Sequence, residues 1–192
     1  MSEFAISNLL QNARDGVTKA IMIVDYPHHE IHQGSAYYVE GHALLTDTEQ
    51  LTVKFSTPDS TKECHFVWHI IGSGETEILL YEDPTGGMSG GTTVPPINNN
   101  RNSTRTSSMS FASGVATSTT AKGTQLHHWL SGYEATRPGG SANPSQSGRE
   151  DELVLKTNST YLGLIVSNST QNVSFRAEWY EHAPAVGPKV AD

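Results

Sequence analysis

Cysteine is almost missing from this chain: Cys64 is the only one in 192 residues. An intrachain disulfide is therefore excluded, and folding in a reducing compartment is the natural expectation. Charge is sparse as well, at 17% of residues, and hydrophobic residues make up only 35%; both fractions are low for a globular enzyme. Cationic residues are few, with 12 Lys and Arg against 20 Asp and Glu, a net charge of −8. No cluster of Lys and Arg interleaved with aromatics occurs. A surface of this sign repels phosphate backbones, so no nucleic-acid partner is expected. No apolar run approaches the ~18 residues that span a bilayer as a helix. The opening "MSEFAISNLLQNARDG" lacks the basic stretch and apolar block of a signal peptide. No membrane partner is expected either.

What fills the space is serine, threonine, asparagine and glycine, a composition that suits strands joined by long polar loops. The length fits one domain. The expected organisation is an N-terminal arm or short helix over 1–19, a single β-sandwich domain over 20–184, and a C-terminal tail over 185–192. Alternation marks the strands, because successive side chains point to opposite faces. In "ECHFVWHII", Cys64, Phe66, Trp68 and Ile70 share one face, with His65, Val67 and His69 on the other. In "NVSFRAEWYEH", Val173, Phe175, Ala177 and Trp179 oppose Ser174, Arg176, Glu178 and Tyr180. Tyr37, Val39, Ala43 and Leu45 form one face of a third strand, and Leu51, Val53 and Phe55 of a fourth. "AIMIVDY", "EILLYED", "SMSFAS", "DELVLKTN" and "TYLGLIVSN" read as further strands, while "GTQLHHWLSG" is ambiguous. Residues 84–108 show no period and read as a long loop; "RPGGSANPSQSGRE" reads as a second. Eight to ten short strands and no long helix argue for an antiparallel sandwich or barrel.

The densest chemical signal is "YPHHEIHQG", Tyr26 to Gly34, with His28, His29, Glu30 and His32 in close succession. A helical zinc motif needs H-E-x-x-H, and here the second histidine arrives one residue early. His28 and His32 have helical spacing, but Pro27 and Gly34 bracket a segment too short for that helix. On a strand, His28 and His32 lie about 13–14 Å apart. The stretch therefore reads as a turn and strand start. His65 and His69 are too far apart to chelate alone, and the adjacent His127 and His128 point opposite ways if extended. "GMSGG" matches G-x-S-x-G, but the next residues, "TTVPPINNN", cannot form the helix that a nucleophile elbow requires. Glu150, Asp151 and Glu152 read as a solvated edge. The sequons at Asn102, Asn158, Asn168 and Asn172 fit chance in so polar a chain. No catalytic, cofactor-binding or metal-ligating residue is assigned.

Several phrases in order carry a resemblance: "HHEIHQGSAYYVEG", "STPDSTKECHFVWHI", "LLYEDPT", "NNNRNST" and "ELVLKTNSTYLGLIVSNSTQNVSFRAEWYEH". Together, over about His28 to His182, they resemble virion structural proteins of tailed bacteriophages, of the head decoration or cement type. The resemblance implies a jelly-roll-like β-sandwich that acts as a homotrimer. Its implied partner is the major capsid protein, on the outer surface of the virion, after synthesis in the host cytoplasm. It implies no enzymatic activity and no cofactor. Two alternatives stand beside it: a virion carbohydrate- or cell-surface-binding β-sandwich module, and a metal-dependent β-barrel enzyme using some of the nine histidines.

Overall fold

The computed structural model describes residues 26–117, 122–131, 145–146 and 151–183. The arm expected at 1–19, the tail expected at 185–192 and all but the last residue of "AIMIVDY" lie outside these residues. The described elements, in order, are helix α1 (Tyr26–Gln33) and strands β1 (Ala36–Leu45), β2 (Gln50–Ser56), β3 (Glu63–Gly72), β4 (Thr76–Glu82), β5 (Met88–Ser89), β6 (Thr92–Thr93) and β7 (Ile97–Asn98). After them come β8 (Ser110–Ser113), β9 (Ala116–Thr117), β10 (Thr124–Ser131), β11 (Ser145–Gln146), β12 (Leu153–Leu155), β13 (Thr160–Ser167) and β14 (Gln171–His182).

Two six-stranded antiparallel sheets result. The first runs β11-β3-β14-β1-β7 with β12 also on β3, and the second β10-β4-β13-β2-β8-β6. The pairing nests from the outside inward. β1 pairs with β14, β2 with β13, β3 with β12, and β4 with β10. One long antiparallel ribbon has thus been rolled so that its strands are shared between two sheets, which is the jelly-roll order. The expectation of an all-β antiparallel sandwich is met.

The alternation read from sequence is the alternation that is buried. Cys64, Phe66, Trp68 and Ile70 of β3 and Val173, Phe175, Ala177 and Trp179 of β14 all face the core. Leu51, Val53 and Phe55 of β2 and Ile78 and Leu80 of β4 meet them from the second sheet. Phe55 is the centre of the layer. Its ring stacks on Phe66 at 4.7 Å, Tyr161 at 5.1 Å and Phe111 at 5.2 Å, and meets Trp68 edge-on at 6.2 Å. The continuous apolar run in β4 has a separate cause. Leu79 and Tyr81 are buried on the opposite face with Leu162 and Leu164, and Met88 of β5 packs against this second cluster.

Three expectations need correction or sharpening. "YPHHEIHQG" is not a turn and strand start but α1. Two turns suffice because both ends are favourable. Pro27 lies in the first turn, where its missing N–H costs no bond. Gly34 adopts φ 72° at the end. The Gly34 amide donates to Ile31 O and the Ser35 amide to Glu30 O, both at 3.0 Å, the paired bonds of a Schellman cap. "GTQLHHWLSG", ambiguous in sequence, contains β10. The 84–108 stretch, expected as a loop, contains three two-residue strands and is tied to both sheets, by β6 on β8 and by β7 on β1.

Close packing between the sheets dictates one glycine. A Cβ at Gly163 of β13 falls 1.6 Å from Trp68 Cη2, and the indole is 4% exposed with nowhere to move. Gly163→Ala is expected to destabilise the fold by about 3 kcal/mol, measured by urea unfolding. Cys64 yields a second expectation. Burial, reinforced by the Glu181 carboxylate and opposed by Lys62, pushes its thiol up from 9.0 to about 12. The unfolded thiol releases its proton near pH 9 while the folded one retains it, so stability falls as pH rises from about 9 to 12. A thiol reagent at pH 9 should leave the native chain unmodified and label it fully in denaturant.

Candidate functional site at one corner of the sandwich

The end of β14 carries a buried acid. Glu181 is 3% exposed, and a carboxylate so placed must be fully hydrogen-bonded. Its donors come from three directions. The Ser107 hydroxyl donates to Oε1 at 2.6 Å, and the Ser108 amide donates at 3.0 Å. The Ser108 hydroxyl donates to Oε2, and Trp179 Nε1 donates to Oε1 at 3.1 Å. Lys62 Nζ lies 3.9 Å away with its side chain 51% exposed, a distance and exposure at which the charge pair adds little. With its lone pairs taken up in this way, Glu181 acts as an anchor for the 98–108 segment.

Asparagine continues the same work. Asn98 Nδ2 donates to Gly34 O at 2.9 Å and to Arg105 O at 3.0 Å. Asn100 Nδ2 reaches His32 O at 3.1 Å, and the Asn99 amide donates to Ala36 O at 2.9 Å. Buried backbone carbonyls demand partners, and here the "NNNRNST" phrase supplies them to the α1–β1 junction. The assembled corner frames an open cavity of about 570 Å³ whose lining includes His29, Glu30, Lys62, Arg105, Glu181 and His182. Glu30 is itself engaged, accepting from the Ser35 hydroxyl at 2.5 Å. Burial and the Glu181 charge raise the Tyr37 phenol above its usual value, with Arg105 opposing.

Beside the cavity, on the outward face of the first sheet, lies a histidine cluster. Register places Tyr180 opposite His65 and His182 opposite Glu63. His65 Nε2 and His182 Nε2 are 2.9 Å apart, and Glu63 Oε2 is 3.8 Å from His182 Nε2. Glu152 Oε1 lies 2.6 Å from His65 Nδ1 and accepts from the Tyr180 hydroxyl at 3.0 Å. The Tyr180 ring stacks on His65 at 4.5 Å. Glu63, His65 and His182 have ligand atoms within 4.8 Å of one another, and no other group of three or more His, Cys, Asp or Glu does so among the described residues.

The histidines singled out in sequence are distributed as follows. His28 and His32, expected 13–14 Å apart on a strand, meet across one turn of α1 with their Nε2 atoms 3.0 Å apart; the helix reverses that expectation. His65 and His69 are not brought together. His69 instead lies 3.8 Å from Glu178. His127 and His128 do point opposite ways, His127 against the Trp129 ring at 4.2 Å and His128 to Glu77 at 2.8 Å. Ser89 of "GMSGG" sits in β5 with β6 next in the chain, so the elbow has no helix. Glu152, expected on a solvated edge, is half-buried against His65 and Tyr180. Sequence reasoning misses the Glu63–His65–His182 grouping. The one signal that could have found it is parity: His65 and His182 both occupy outward positions on strands, but their pairing register is not readable from either strand alone.

Comparison with known protein families, curated proteins and solved structures returned no match.

Removing the Glu181 carboxylate strands several donors at once. Glu181→Ala is expected to lower stability by about 3 kcal/mol and to speed amide exchange across 98–108, read by hydrogen-exchange mass spectrometry. Lys62→Ala should change stability by less than about 1 kcal/mol.

Proposed function

We propose that this chain is a virion structural protein of a tailed bacteriophage, of the decoration type. In this reading it binds the outer surface of the major capsid protein lattice as a homotrimer, stabilises the head, and performs no catalysis. One observation carries the reading. Phrases that bear the resemblance, although far apart in sequence, meet in a single corner. "HHEIHQG" forms α1 and its cap, "NNNRNST" hydrogen-bonds to that cap, and "EWYEH" supplies Trp179 and Glu181 beneath. Motifs that build one contiguous substructure together are a stronger basis for a resemblance than scattered matches.

The fold supports the same reading by analogy only, since jelly rolls serve viral capsid domains and also lectins and cupins. The surface suits it too. The exposed polar stretches within 85–93 and 101–106 rest on a rigid β scaffold, and polar side chains of this kind make wet, adaptable interfaces. Trimers placed on a symmetric lattice gain by avidity what each contact lacks.

Quantitative mass spectrometry of purified particles tests the proposal. The expected result is a copy number in fixed proportion to the major capsid protein. Absence from particles, or a handful of copies, overturns the decoration role.

A further inference from the structure

We propose that Glu63, His65 and His182 form a binding site for one divalent transition-metal ion of the zinc class. The inference stands on hydrogen-bond roles as well as on proximity. His182 Nδ1 lies 2.6 Å from Ala183 O. A carbonyl only accepts, so His182 carries its proton on Nδ1. His65 Nδ1 lies 2.6 Å from Glu152 Oε1, which already accepts from Tyr180; His65 therefore also donates from Nδ1. With Nδ1 as the donor, the neutral form of each ring carries its lone pair on Nε2, and these two atoms face each other at 2.9 Å. Two lone pairs at that separation repel unless a proton is shared between them or a metal ion lies against both.

The surroundings are those of imidazoles prepared as ligands. Metal-bound histidines almost always donate their other N–H to a carboxylate or a backbone carbonyl, which fixes the tautomer and ring orientation. His65 has the first kind of partner and His182 the second. Donor atoms around tetrahedral zinc lie about 3.3 Å apart, given bonds of about 2.0–2.1 Å. The Nε2–Nε2 distance of 2.9 Å and the Glu63–His182 distance of 3.8 Å bracket that value. Small side-chain shifts close the set. Calcium and magnesium are disfavoured because they take oxygen ligands. The side chains of His65 and His182 are 17% exposed and that of Glu63 43%, so an ion has access. His182 also lines the open cavity, from which water or a carboxylate of another chain can complete the coordination. A bound ion would tie the first residue of β3 to the last residue of β14, beside the corner held by Glu181.

The test uses the full chain, freed of metal by chelator dialysis and titrated with Zn²⁺ by calorimetry, with elemental analysis for stoichiometry. The expected result is one zinc per chain with Kd near or below about 1 μM. A rise in Tm of roughly 5–10 °C at saturating zinc should accompany it. Cobalt substitution should give the intense visible absorption of a tetrahedral centre. His182→Asn, at a strand end, should weaken zinc at least ~100-fold while the metal-free protein keeps its circular dichroism spectrum. Glu152→Gln, a positioning change, should weaken it about 10–100-fold. The His28→Asn/His32→Asn double variant should leave affinity unchanged. No binding at 100-fold the expected Kd, or binding that survives His182→Asn and is abolished only by the His28/His32 variant, overturns the site. The inference is independent of the decoration role: particle composition and zinc stoichiometry can fail separately.

Discussion

The structure depends on one layer of stacked aromatic rings held between two sheets. Phe55 touches Phe66, Phe111, Tyr161 and Trp68, and each such pair adds about 0.5–1.5 kcal/mol beyond the area it buries. The rings sit on four strands from both sheets, so the layer fixes the spacing and registry of the sandwich. It also has a strict consequence at Gly163, where the Trp68 indole occupies the volume of a side chain. Because every second residue is committed to this layer, the remaining residues of β3 and β14 are driven outward in register. The histidine cluster exists because of that constraint.

The corner beside the cluster is built on a different principle. Apolar burial cannot hold an irregular segment such as 98–108, whose backbone groups lack strand partners. A buried carboxylate, Glu181, and two asparagines, Asn98 and Asn100, do so with directional bonds. The polar composition that distinguishes this chain thus has a structural use inside the fold as well as a solvated one at its surface. The corner frames the open cavity that His182 lines.

Much of the architecture is legible in the sequence because strand parity is a local property. Phe66, Trp68, Phe175 and Trp179 alternate with polar neighbours, and burial obeys that alternation. The failures share a cause. α1 escapes a sequence reading because its stability comes from the Gly34 cap and from packing on β1 and β14, and a two-turn segment has too few residues for a periodic signal. Glu152 escapes it because its partners His65 and Tyr180 are distant in sequence. The metal-ligand spacing of "HHEIHQG" points to the wrong histidines, since ligand sets assembled across strands leave no spacing signature.

Local chemistry along the chain sets the β class, the faces of the main strands, the absence of an intrachain disulfide and the acidic, polar character of the surface. Each of these derives from residue type and from a period of two. Long-range pairing is what rolls the ribbon into a jelly roll and pins the 84–108 loop to both sheets. It alone decided that Glu63, His65 and His182 converge. Those outcomes rest on which strands pair and in what register, and register is set by contacts between residues separated by up to more than a hundred positions.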